Sequence, residues 1–379
     1  MNSSLRFALE CASVLLLVAG CGPKDGSADY EAGLKAYELH DFAKAGKLFE
    51  KSVAMAPTNI DALVCLARVQ LEQGELTAAK KHVEQAAELA PGECDILLIR
   101  AQIAWHAKDY AAARKDFSEV ASNTKFDPSV RADGWAGVGV VEMTCNNRHL
   151  SRIAFLRAIQ LDRRNASARY HLALLYRDAF DYKKHALEQM EIFQRLEVSA
   201  SPRVQRVQRS VIPDLKESIA RSETERPGVS KRNSGACAGL LVKAAQAVKK
   251  GNHKSARQFY QEALAADPLS YPAALGLAKA WLKTDTTQSG QMKAFESYKT
   301  ACTLNESAIS TYLATGALAA KLGLHAQAVE IYSRALAASP NSIDAVDGLI
   351  RALRKVGGKQ EIADAYQAYR DSLPKAKRK

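Results

Sequence analysis

Most signatures of catalysis are missing from this chain. It has no glycine-rich phosphate loop, no Gly-x-Ser-x-Gly turn and no paired histidines at the spacing of a metal-binding helix. Seven cysteines are present, yet no Cys-x-x-Cys occurs and none sits beside a histidine at ligand spacing, so neither a redox pair nor a structural zinc is indicated. Aromatics are only 7% of residues, and no zinc finger or stacking-aromatic motif accompanies the basic stretches, which argues against nucleic acid as a partner. Long apolar runs are missing too. Ala12–Gly20 is too short to span a bilayer as a helix, and no later run is apolar enough. The chain is therefore expected to be no enzyme and to need neither cofactor nor metal.

Proline is scarce at 11 residues, but its placing is informative. Counting back from Pro57, Pro91, Pro268 and Pro340, a 34-residue pattern recurs. Its eighth place holds Gly33, Ala67, Ala244 and Gly316, its twentieth Ala45, Ala79, Ala256 and Ala328, and its twenty-fourth Phe49, Val83, Tyr260 and Tyr332. Small residues are needed where helices cross closely, with a bulky knob filling the adjoining hole, so the spacing predicts two antiparallel helices per repeat. One such pair cannot bury its own apolar face. Stacking on neighbours buries it, and the result is an all-α solenoid that offers surface to partners.

This pattern resembles the tetratricopeptide repeat family. Nine repeats can be placed, at 26–59, 60–93, 94–127, 132–165, 166–200, 237–270, 271–308, 309–342 and 343–376. Repeat 94–127 departs in having Arg100 where leucine is usual, 166–200 carries one extra residue, 271–308 has about four extra around Thr284–Gln291, and Gly357-Gly358 displaces the second helix of the last. The resemblance implies a right-handed superhelical solenoid of about nine helix pairs, in one or two arrays.

Met1–Cys21 reads as a signal peptide, with Arg6 ahead of the apolar run. Leu17-Val18-Ala19-Gly20-Cys21 resembles a bacterial lipobox, which implies cleavage after residue 20 and lipidation of Cys21, with several acyl chains giving stable anchoring. The expected organisation is a lipoprotein signal peptide at 1–20, a flexible tether at 21–28, a first array at 29–200, a basic helical spacer and linker at 201–235, a second array at 236–374 and a basic tail at 375–379. Within the spacer, Val204–Glu225 has the apolar spacing of a helix that Pro213 would kink. Once Cys11 and Cys21 are set aside, Cys65, Cys94, Cys145, Cys237 and Cys302 remain, expected mostly as buried thiols.

Charge is uneven. Residues 22–145 carry 14 Lys/Arg against 19 Asp/Glu, a net of −5, while the whole chain is +12 and Arg6 and Glu10 cancel, which leaves +17 for 146–379. A basic distal half is compatible with a solvated face, or with an anionic polymer or lipid headgroups.

The resemblance further implies that places 2, 5, 9 and 12 of each first helix line a concave groove. In the first array those places point to Tyr30, Tyr37, Arg68, Gln102, Trp105, Met143, Tyr170 and Arg177 as partner-binding residues, alongside apolar ones such as Leu98 and Val140. Lysine and asparagine, which family members use to grip a chain-terminal carboxylate, are absent from places 5 and 9 of this array. An apolar helix or extended segment of an envelope protein is the expected occupant. The expected function is a membrane-tethered scaffold on the periplasmic or extracytoplasmic face of a bacterial envelope, serving assembly or secretion, with an anionic glycan or lipid binder as the alternative.

Overall fold

The computed structural model describes residues 28–197, 202–226 and 232–374, and within these every regular element is a helix. The signal peptide, Cys21 and nearly all of the tether lie outside the described residues, as does the 375–379 tail. The chain divides into two compact units. One comprises residues up to 180 with 189–204, and the other comprises 181–188 with 205 onward.

In the first unit, α1 (Ala28–Glu38) pairs with α2 (Phe42–Met55), α3 (Ile60–Glu72) with α4 (Leu76–Leu89), α5 (Cys94–His106) with α6 (Tyr110–Ser122), and α7 (Pro128–Thr144) with α8 (Arg148–Leu161). They are followed by α9 (Ala166–Asp178) and α10 (Lys183–Leu196), where the Tyr170 and Phe193 rings meet at 5.2 Å. Each second helix packs on the first helix of the next repeat, which is how the array propagates. Two of these first helices, α3 and α9, begin on an asparagine that caps them. Asn59 accepts from the backbone N–H of Ala62, and Asn165 from that of Ala168. Second helices stop one residue before the phased prolines' own turn, α2 at Met55 ahead of Pro57 and α4 at Leu89 ahead of Pro91, because proline cannot continue a helix.

The small-and-aromatic spacing becomes contact. Phe49 and Phe155 are fully buried, and a Cβ added to Gly33 would come within 2.7 Å of the Phe49 ring, so the ring occupies the volume that glycine leaves. The next repeat closes the other side of the knob. His171 at its sixth place stacks on Phe155, with ring centroids 5.8 Å apart.

The second unit repeats the scheme after a helical stretch made of α11 (Pro202–Arg206), a π turn (Val207–Val211) and α12 (Ile212–Thr224). The π turn lies just before Pro213. That is where proline's missing N–H and its ring clash disturb the helical ladder, so the interruption takes the form of a widened turn. Four pairs follow: α13 (Ser234–Lys249) with α14 (His253–Ala266), α15 (Tyr271–Thr284) with α16 (Gln288–Leu304), α17 (Ile309–Lys321) with α18 (His325–Ala338), and α19 (Ile343–Lys355) with α20 (Gln360–Ser372). The extra residues of the seventh repeat lengthen α16 and form a turn in which Asp285 accepts from the backbone N–H and the hydroxyl of Thr287. Arg232 clasps the buried Asp267 through two hydrogen bonds, 2.9 and 3.2 Å long, and fixes the start of this array. The five cysteines among the described residues are free thiols. Cys237 and Cys302 are buried, and the other three are half-buried.

Candidate groove of the first unit

The first helices α1, α3, α5, α7 and α9 together line a cavity of about 190 Å³, with Leu196 and Glu197 at one end. The cavity follows from repeat geometry. Helices at the same place in successive repeats stand side by side, so residues 34 or so apart in sequence converge. One wall is apolar, made of Leu98 and Ile99 from α5 and Ala136 and Val140 from α7. Much of the remainder is charged, with five carboxylates (Glu72, Asp95, Asp133, Asp162, Glu197) and two guanidiniums (Arg68, Arg164) among neutral residues such as Phe117 and Ser167.

Three of the sequence-predicted residues come together here, Tyr37, Arg68 and Gln102. Arg68 donates to Asp95 at 3.5 Å, and Tyr37 packs against the ring of Phe42. The other five lie outside the cavity. Trp105 is buried between helices, its indole N–H donating to the Thr144 hydroxyl at 3.2 Å. Tyr30 is buried against Phe49, and its hydroxyl lies 3.9 Å from Cys65 Sγ. Tyr170 is buried beneath the Arg203 guanidinium. Arg177 pairs with the neighbouring Asp178, and Met143 is half-buried on α7.

Asp133 is the residue that sequence reasoning passed over. It stands on the second turn of α7, and its Oδ1 accepts from Asn165 Nδ2 at 2.7 Å. Part of its surface still opens to the cavity, but dense protein surrounds it. The resulting desolvation is the main cause that pushes its pKa from 3.8 up to about 6; the Asn165 hydrogen bond and Arg68 oppose this, and Asp162 and Asp95 add to it. Asp61, Asp95 and Asp133 all occupy the second place of their repeats, and Asp61 is likewise raised, first by desolvation and then by Asp95. Such a column of carboxylates can be seen once the repeats are aligned, but a search for apolar and aromatic groove residues skips it. Chemically, the cavity can hold a side chain with an apolar stem and a positive head. Among the described residues no cluster of three His, Cys, Asp or Glu could hold a metal ion.

Residues 36–103 match the tetratricopeptide repeat profile. No curated protein matches the chain. Among solved structures it is similar to Pseudomonas aeruginosa PilF (15% identity, 65% of this chain and 93% of that one, TM-score 0.38). It is also similar to a thermophilic tetratricopeptide protein of Thermus thermophilus (18% identity, 52% and 97%, TM-score 0.41) and to PilW, described as a widely conserved type IV pilus biogenesis factor (13% identity, 66% and 98%, TM-score 0.40). Residues 36–103 thus carry tetratricopeptide repeats, and the helix pairs that continue their spacing give both units the fold of a helix-pair solenoid.

Proposed function

We propose that this protein is a non-enzymatic interaction scaffold, tethered by lipid at Cys21 to a membrane of the bacterial envelope, that holds a segment of a protein partner in the groove of its first unit during envelope assembly or secretion. The observation that carries the binding reading is the cavity itself. Five successive first helices leave an open recess with one apolar wall, and a recess of this kind is where a repeat array accepts an extended or helical segment. The tether rests on the Leu17–Cys21 sequence. Among the described residues no helix is long and apolar enough to cross a membrane.

The test is a crosslinked pull-down of the full chain from its native membrane at low and high salt, run beside Leu98→Arg and Cys21→Ser. A protein partner that survives high salt and is lost from Leu98→Arg supports the groove, since apolar contacts are not screened. Capture of only salt-labile polyanion, unchanged in Leu98→Arg, replaces the groove reading with binding through the basic distal half. Retention of Cys21→Ser on membranes after a high-salt wash would remove the lipid anchor from the proposal.

A further inference from the structure

We infer that the cavity of the first unit receives a lysine or arginine side chain of the bound segment; this deepens the groove reading and rests on it. The lining is divided in a way that fits such a side chain. An aliphatic stem lies well against Leu98, Ala136 and Val140, as the stems of lysine and arginine do on apolar surface generally. The head would then meet Asp133 and Asp162.

The charge balance supplies the second half of the argument. Asp133 and Asp162 stand together in the recess, and Arg68, the guanidinium that acts on Asp133, is also engaged with Asp95. Asp133 uses Oδ1 to accept from Asn165, and Asp162 uses Oδ1 to accept from the backbone N–H of Arg164 at 2.8 Å. Among the described residues the second oxygen of each carboxylate accepts no hydrogen bond, so each retains a free lone-pair site. Negative charge left uncompensated in a recess is costly, and a cation that brings its own donors removes that cost. Burial is the main cause of the raised pKa of Asp133, and the nearby Asp162 and Asp95 carboxylates add to it. The apolar wall beside these two carboxylates suits an organic cation carried on a stem.

The probe is a library of random peptides displayed on phage, selected on the full chain and counter-selected on Leu98→Arg, so that the survivors depend on the groove. Survivors are resynthesised with each lysine or arginine replaced in turn by methionine. Their affinities are measured for the parent chain, Asp133→Asn and Asp162→Asn, with thermal melts confirming that every variant is folded. The expected result is one shared basic residue whose replacement weakens binding about tenfold or more, as loss of a hydrogen bond to a charged group does. Asp133→Asn should give a similar loss, and the two losses should not add, because both delete one contact. Binding should also weaken as pH falls through about 6 in the parent and be flat there in Asp133→Asn. Groove-dependent survivors with no common basic residue, or with one that is indifferent to both variants, overturn this inference and leave the groove standing. If no survivor depends on the groove, the groove reading itself fails, and this inference with it.

Discussion

At the scale of single residues, the fold rests on pairs in which glycine leaves the space that an aromatic ring fills. Tyr332 is wedged between Gly316 of its own repeat and Gly348 of the next, and Phe155 occupies the space beside Gly139. Gly139→Ala drives a methyl into a fully buried ring that cannot withdraw, and is expected to destabilise the first unit by about 1–3 kcal/mol, read as a lowered denaturation midpoint. Asp133 gives a second prediction. Its folded pKa lies above its ordinary 3.8, so the native state keeps a proton that the unfolded chain has lost, and stability from this group declines as pH rises from about 4 to about 6. Asparagine carries no such penalty. The melting temperature of Asp133→Asn relative to the parent should therefore climb across that window and level off above it; a difference independent of pH would show that Asp133 titrates normally.

At the scale of elements, the turn between the two helices of a repeat demands a left-handed residue at one place. Glycine supplies it at Gly74, Gly251 and Gly323, whereas His40, Lys108 and Asn146 hold the same place with φ of 58°, 66° and 61°. Lys108 is exposed, so Lys108→Gly relieves strain without losing packing and should stabilise by up to about 1 kcal/mol, while Gly74→Ala should cost about as much, both read by chemical denaturation. Helix pairing and the place of the turns were legible in the sequence because they depend on residue size and on proline, which several repeats state again. The Arg100 departure was legible only as an oddity. In the structure Arg100 binds the buried Asp116 through two hydrogen bonds of 2.6 and 2.8 Å, so the irregular residue has a partner at the other end of its own repeat. Restoring leucine alone strands a buried carboxylate and should cost about 2 kcal/mol, moderated because Arg100 is half exposed. Arg100→Leu combined with Asp116→Leu should recover most of that loss; failure to recover would mean that Arg100 acts through something other than Asp116. The groove was legible only in part, for a related reason. Family places located Tyr37, Arg68 and Gln102 in the cavity, but whether an aromatic such as Trp105 faces a partner or a neighbouring helix depends on local packing that no single place encodes.

At the scale of the whole molecule, a repeat array is held together by nearest-neighbour contacts, so a local lesion should be felt first in its own unit. The tryptophans make this measurable. Trp105 and Trp135 belong to the first unit, and Trp281 to the second, where Arg257 and Lys293 lie over its ring at 4.2 and 4.8 Å. In a Trp281→Phe background, fluorescence follows the first unit alone; with Trp105 and Trp135 both changed to Phe, it follows the second. Gly139→Ala should lower the midpoint seen by the first reporter set more than that seen by the second, and Gly316→Ala should do the reverse, because each inserts a methyl into a knob contact of its own array. Equal shifts in both reporters for both variants would show that the chain unfolds as one cooperative block, and stability could then no longer be assigned unit by unit. The distinction also bears on function. If the first unit melts by itself, loss of groove-dependent binding on heating should track Trp105 and Trp135 rather than Trp281, which ties the binding surface to the array that carries the cavity.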